Sequence, residues 1–513
     1  MSKTRTENSI RNSTVALLSQ GIIVLLSFIT RTIFIKNLGA NYLGINGLFT
    51  NILTVLSFAE LGFGTAIVYA LYKPLAENDY NKISALMNFY SKVYRFIGIF
   101  VLISGIILVP YLNFFINDVK ELPGDMPPLW IVYILYLLNS SVSYFFNYKR
   151  SIVIASQNGY LDSLNQLTFT FVRNVVQILI LIVFKDFLLY LIVQVVCTLL
   201  SNIIISIKAD KLFPYLKEKK KEKLNKENLK EIVKNVSAMS FHKFGSVIVS
   251  GTDSILISKF VGVIAAGYYS NYVLLTTTVK TVYIQILSPI TASVGNFVTS
   301  KTEDEVYKFF KKLFFLNAYI AIFCTSCLTS LVNPFISLLW GDEYTFSNIT
   351  VYLIMFSFFI NCMRQVSNIF IDTNGLFWQI RWKSFFEAII NFTVCLFLVK
   401  SLKLGVTGIV LGTIVSNIMT NFWWEPYVVH KFALKKPLLN YFISYSKVLV
   451  VYLITLLITL GIESYILENF AGFVIKSIIS FIVPNLIIWI IYRKTEEYKY
   501  FLSIVKKYLF KKE

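Results

Sequence analysis

Six basic side chains sit where hydrocarbon should surround them: Arg31, Arg95, Arg173, Lys243, Lys280 and Arg364 all fall inside long apolar runs of this 513-residue chain. A cation at membrane depth costs at least about 2.5–3.5 kcal/mol unless it is paired or hydrated. Each of the six therefore either contacts a ligand or belongs to an internal ion pair, and the spacing leaves both readings open. Glu60 and Asp253 are the obvious counter-charges, with Glu387 next. Lys92, Asp372, Glu425 and Lys447 lie near the ends of their runs, where snorkelling or interfacial water suffices. The excess of cations over acids sets the sign of any cargo. An anion crossing hydrocarbon without compensation faces a penalty on the order of tens of kcal/mol, so a route for one exposes fixed cations. A neutral or cationic drug favours the reverse.

Uncharged polar residues accompany these charges in stripes. Ser13, Gln20, Ser27 and Arg31 recur at spacings of seven, seven and four, along one helix face. His242, Ser246, Ser250 and Asp253 form a second stripe with Lys243 beside it. Asn46, Thr50, Thr54, Ser57 and Glu60 make a third, and Asn271, Thr278, Thr281 and Gln285, next to Lys280, a fourth. Four helices are expected to face water or a polar ligand.

The elements that carry these stripes must be membrane-spanning helices. Apolar runs suggest fourteen spans, at about 12–36, 42–72, 85–113, 128–154, 163–184, 186–207, 235–259, 265–292, 309–333, 349–371, 382–400, 404–430, 440–462 and 469–492. Each can cross a hydrocarbon layer roughly 30 Å thick. With a cytoplasmic amino terminus, that side holds 33 of the 48 Lys and Arg. The opposite side holds six, namely Lys36, Lys120, Lys185, Lys259, Lys400 and Lys403. That asymmetry obeys the positive-inside rule at every turn and puts both termini in the cytoplasm.

A chain 56% hydrophobic and only 15% charged is not an ordinary soluble protein, and the spans consume nearly all of its apolar residues. The net charge of +20 sits on short turns, where each Lys gains roughly 1 kcal/mol from anionic lipid, so it is no evidence for nucleic acid. Cys324 and Cys327 form a CxxC inside a span, where the spacing reads as small packing residues, and no metal site is expected. The first span is too long for a signal-peptide core, so it is expected to stay in the mature protein. No GxxxxGK[ST] phosphate loop is present. The largest outer loop, about 114–127, offers only Asp118, Glu121 and Asp125 for acid–base work, so no enzyme is expected.

The chain also repeats itself. Lys36, Gly39 and Gly44 match Lys259, Gly262 and Gly267 at a separation of 223 residues, and Asn158-Gly159 matches Asn374-Gly375 at 216. Thr198, Ser201, Asn202 and Ile203 match Thr413, Ser416, Asn417 and Ile418 at 215. Because six is even, two six-helix repeats enter the membrane in the same orientation and are related by a pseudo-twofold along the membrane normal. The expectation is an all-α integral membrane protein of fourteen helices: a bundle at 1–207, a basic connector at 208–234, a second bundle at 235–432, two further helices at 433–494 and a basic amphipathic tail at 495–513. The tail is expected to anchor on the inner leaflet or to dock a partner.

Four segments carry a family resemblance: RTIFIKNLGANYLGINGLF over Arg31 to Phe49, AELGFGTAIVYALYKPLAENDYNKI over Ala59 to Ile83, YKRSIVIASQNGY over Tyr148 to Tyr160, and TDSILISKFVG over Thr252 to Gly262. They resemble Wzx-type flippases, polysaccharide repeat-unit translocases of the multidrug, oligosaccharidyl-lipid and polysaccharide exporter superfamily. The resemblance implies an alternating-access transporter in the bacterial cell membrane that moves undecaprenyl-pyrophosphate-linked oligosaccharide to the outer leaflet for capsule or a related glycan. A polysaccharide polymerase and assembly proteins are its implied partners, with no cofactor beyond a proton or sodium gradient. Carried over by position, Arg31, Lys243 and Lys280 are the expected headgroup contacts, with Arg95, Arg173 and Arg364 as further candidates, while Gln20, Asn46, Ser250 and Gln285 suit sugar hydroxyls. Asp253 or Glu60 can bind a coupling ion, because a carboxylate in a water-poor cavity titrates when a cationic partner moves. A teichoic-acid or lipid II flippase, a drug or cation antiporter and a membrane polymerase or glycosyltransferase are the rival readings.

Overall fold

Backbone amides inside an apolar run have only one another to bond, and the chain accordingly folds as helices. The computed structural model describes residues 5–57, 63–116, 122–217 and 251–509, and no strand occurs among them. Ten helical stretches among the described residues are long and apolar enough to cross a membrane, from Thr14–Leu38 to Phe470–Tyr492. This is a multi-pass membrane protein. Of the other expected spans, 42–72 is two helices flanking residues outside the description, 235–259 lies mostly outside it, 265–292 falls within a 38-residue helix, and 382–400 overlaps an 18-residue one. The chain divides into two compact units, Met1–Gly267 and Tyr268–Glu513.

Unit 1 contains α1 (Arg5–Leu38), α2 (Ala40–Leu56), α3 (Phe63–Glu77), α4 (Tyr80–Leu108), α5 (Leu129–Ala155), α6 (Gly159–Val183) and α7 (Phe187–Leu212), and residues 251–260 are helical as well. Asp79 and Asp186 start α4 and α7 by accepting from the amides of Lys82 and Leu189, both at 2.9 Å. Polar pairs then fasten the helices side by side. Thr30 Oγ1 on α1 donates to Asn174 Oδ1 on α6 at 2.7 Å, and Asn165 Nδ2 on α6 donates to Ser201 Oγ on α7 at 2.9 Å. Each such bond contributes about 0.6–2 kcal/mol in a bilayer. At the Lys-rich end, Lys149 meets Asp210 and Arg150 meets Asp162, both at 2.7 Å.

The repeat-matched glycines have matched roles. Gly39 and Gly262 both hold positive φ, at 85° and 134°, at the turns before the next helix. Gly44 and Gly267 meet each other: a Cβ on Gly267 would lie 2.8 Å from the Ala40 carbonyl oxygen and 3.0 Å from the Gly44 amide nitrogen. Only backbone fits there.

Unit 2 takes up α8 (Val263–Ser300), whose first residues belong to unit 1, and continues with α9 (Glu303–Trp340), α10 (Asn348–Met363), α11 (Gln365–Asn374), α12 (Lys383–Lys400), α13 (Gly405–Met419), α14 (Asn421–Val428), α15 (Leu439–Glu463), α16 (Phe470–Tyr492) and α17 (Glu496–Leu509). Thr302 and Glu305 form a capping box that starts α9. Its long apolar face then packs against α10, α15 and α16 around Phe310, Phe314, Phe359, Tyr441 and Tyr452. A buried polar knot fixes one end of that contact. Ser330 Oγ on α9 and Ser480 Oγ on α16 donate to the Glu463 carboxylate of α15 at 2.6 and 2.8 Å. In the tail, Tyr498 and Phe501 pack on Phe315 of α9, and Lys312 lies 4.0 Å from the Tyr500 ring.

Candidate functional site

Two helices of unit 2 are interrupted. The run Asn348–Asn374 breaks at Arg364, which closes α10 and opens α11 with φ −72° and ψ −18°. The run Gly405–Leu434 breaks at Thr420, whose φ −123° and ψ −74° leave the helical region. The sequence around the second break explains it. Thr420 Oγ1 returns to the Ser416 carbonyl at 2.6 Å and Asn417 Nδ2 to the Thr413 carbonyl at 3.0 Å, and side chains that bond the preceding turn loosen a helix. Pro426 has no amide hydrogen to offer the turn before it, and the chain widens into a π-helical stretch at Val429–Leu434.

The two breaks meet through charge. Arg364 binds Glu425 with both arms, Nη2 to Oε1 at 2.6 Å and Nε to Oε2 at 2.9 Å. Its Nη1 donates to Asn417 Oδ1 at 3.0 Å and Asn361 Oδ1 at 3.3 Å. Lys383 Nζ at the start of α12 reaches the same Glu425 Oε1 at 2.5 Å. A second acid, Glu387, accepts from Asn421 Nδ2 at 2.5 Å, and that amide group also donates to Asn417 Oδ1 at 2.7 Å. Glu425 has no exposed surface and Lys383 only 2%. Desolvation on this scale is tolerable only because every charge finds an opposite charge or an amide dipole. Beside Arg364 lies a narrow crevice, too tight to hold a water molecule, lined also by Ser367, Asn421, Tyr441 and Tyr445.

Lys280 tips the balance. It projects from α8, partly buried, within electrostatic reach of Arg364, and has no acidic partner among the described residues. Among the described residues, three cations thus stand near two carboxylates, a local excess of one positive charge. The threonines of its stripe do not neutralise it: Thr278 and Thr281 donate to their own helix, at 2.7 and 2.8 Å. Gln285 is partly buried further along α8.

Unit 1 gathers a second set. Asn46 Oδ1 accepts from the Tyr136 hydroxyl. Arg31 lies within electrostatic reach of Tyr136 and Tyr190, and Arg173 within reach of Tyr190. Arg31, Asn46 and Arg173 therefore share one neighbourhood, assembled by two tyrosines. Arg95 stands apart, exposed beside Phe96 (71% exposed) on α4. Gln20 is partly buried on α1, and Asp253 is buried together with Ser254 and Ser258. Lys243, Ser250 and Glu60 lie outside the described residues.

The reading from sequence missed Lys383, Asn417, Asn421 and the two tyrosines as site residues, and it left Glu425 at an interface where water suffices. Instead Glu425 is the hub of the unit 2 network. One signal was present: Glu425-Pro426 sets a carboxylate against a helix breaker inside an apolar run.

The sequence profile of the polysaccharide biosynthesis protein family matches residues 9–294. No curated protein matches the chain. Among solved structures, the fold is similar to the lipid II flippase MurJ in an inward closed conformation, with a TM-score of 0.63 at 16% identity over 94% of this chain and 99% of that one. It is also similar to a multidrug resistance MATE family transporter of the MOP superfamily in an inward-facing conformation, with a TM-score of 0.59 at 14% identity over 82% and 99%. A MOP superfamily transporter from Pyrococcus furiosus, whose binding pocket is described as having reverse polarity, gives 0.57 at 13% identity over 84% and 96%. The fold is that of MOP superfamily transporters.

Proposed function

The chain belongs to the polysaccharide biosynthesis protein family, and from that premise we propose that it is a flippase for undecaprenyl-pyrophosphate-linked oligosaccharide. It moves repeat units from the inner to the outer leaflet of a bacterial cytoplasmic membrane by alternating access, ahead of polymerisation into capsule or another surface polysaccharide. No covalent bond is made or broken. The protein compensates the charge of a pyrophosphate that hydrocarbon excludes, while the C55 chain stays in oil.

One observation carries this reading: Lys280, partly buried beside Arg364, has no acid to neutralise it among the described residues. A cation left uncompensated in a membrane is expensive to keep and useful only to an anion. Arg31 and Arg173, grouped with Asn46, Tyr136 and Tyr190, give unit 1 cations and sugar-compatible hydroxyls of the same kind. Lys243 completes the headgroup set, with Asp253 or Glu60 binding a coupling proton or sodium ion. A polymerase and assembly proteins consume the exported units.

Reconstitution tests it. Liposomes containing the protein and a fluorescent lipid-linked oligosaccharide should expose the sugar to an impermeant lectin on the far side. Equal exposure with and without protein rejects the proposal.

A further inference from the structure

We propose that Arg364 is an exchangeable anion ligand: an arriving lipid diphosphate takes the guanidinium from Glu425, and Lys383 stays behind as that carboxylate's counter-ion. This deepens the flippase reading and rests on it.

Glu425 holds more positive charge than it needs. Arg364 grips it at 2.6 and 2.9 Å and Lys383 at 2.5 Å, yet one cation neutralises one carboxylate, and the second acid, Glu387, is held by the amide of Asn421. Were Arg364 its sole partner, drawing the guanidinium away would strand a buried anion, which proteins tolerate poorly. Lys383 removes that obstacle. The two cations are not equivalent in their freedom to move. The Lys383 side chain is 3% exposed and its ammonium bonds only Glu425 among the described residues, whereas the Arg364 side chain is 17% exposed. Arg364 also lines the crevice beside Ser367, Tyr441 and Tyr445, and Lys383 does not.

The exchange suits the chemistry of the incoming group. A guanidinium binds phosphate with the same two-pronged geometry that it uses for carboxylate, so Arg364 changes partner without changing shape. Its third contact, Nη1 to Asn417 and Asn361, can persist through the swap. Lys280 supplies the approach, because its unneutralised charge lies within reach of Arg364. The same crevice is lined by a buried acceptor with no donor among the described residues, Asn421 Oδ1, which a rearrangement around Arg364 would free to bond.

The test is a double-mutant cycle on the full chain in nanodiscs, reading the Kd of undecaprenyl diphosphate, with thermal unfolding to confirm folding. Lys383→Met should weaken binding about tenfold or more, because exchange now strands Glu425. Glu425→Gln should tighten it severalfold by releasing Arg364 in advance. The double variant should bind within about threefold of Glu425→Gln alone, since no charge remains at position 425 to strand, and Lys383→Arg should recover wild-type binding. A double variant still tenfold weaker than Glu425→Gln, or a Lys383→Arg that stays weak, overturns the exchange while leaving the flippase reading in place. A folded wild-type protein that fails to bind the diphosphate overturns both.

Discussion

Replacing Lys280 with methionine should move stability and function in opposite directions. The substitution keeps an unbranched stem and deletes a charge that faces no acid among the described residues. In the empty protein, that ammonium is a desolvated cation near the Arg364 guanidinium. Full burial in a bilayer would cost about 2.5–3.5 kcal/mol. Lys280 is only partly buried, and part of its hydration survives. Losing it should therefore raise stability by about 1 kcal/mol. With a diphosphate bound the sign reverses. A unit charge pair at 4 Å attracts by about 4 kcal/mol at an effective dielectric of 20, and a hydrogen bond to a charged group contributes about 1.5–3 kcal/mol net. Binding should weaken roughly 10- to 100-fold, and transport at sub-saturating substrate should fall with it. The assay is paired: thermal unfolding of the purified variant without ligand, and translocation of lipid-linked oligosaccharide in liposomes. A variant less stable than wild type, or one that transports normally, would show that Lys280 belongs to the packing and that the charge excess at this site has no cargo.

Other outcomes follow from the same geometry. Arg31→Gln should abolish transport while the protein still reaches the membrane, whereas Tyr136→Phe, which removes only the donor to Asn46, should cost about 1 kcal/mol of stability and slow transport mildly. Gly267→Ala should lower the folded yield, because its methyl group meets the Ala40 and Gly44 backbone, whereas Gly21→Ala, which has nothing within 4 Å, should be silent in the same size-exclusion measurement. Ser330→Ala should destabilise by about 1–3 kcal/mol in a thermal scan by leaving the buried Glu463 short of a donor, and an unchanged midpoint would mean that the knot carries no stability.

The broad plan was legible in the chain because it depends on period and sign. Apolar runs of bilayer length and Lys-rich turns require little tertiary information, and the repeat marked Gly39, Gly44, Gly262 and Gly267 before their shared backbone geometry was seen. The site was legible only in part. Arg364 was recognisable as a misplaced cation, but its partner was not, since Glu425 lies 61 residues away and near the end of its own apolar run. Lys383 sits at the very edge of its apolar run, where a lysine draws no notice, yet only 2% of it is exposed. Sequence fixes which residues are costly in oil. Which of them neutralise one another is decided by where interrupted helices meet, and Thr420 and Pro426 announce a break without saying what lies opposite.

The interruptions at Arg364 and Thr420 are bolted to each other by three bonds, two to Glu425 and one to Asn417. A half-helix on one side therefore cannot tilt without dragging its counterpart, and the pair behaves as a single geared joint with one set of teeth. A ligand that takes the guanidinium from Glu425 removes two of those three bonds at once and leaves the joint hinged on Asn417, turning recognition of one charged group into slack along two spans.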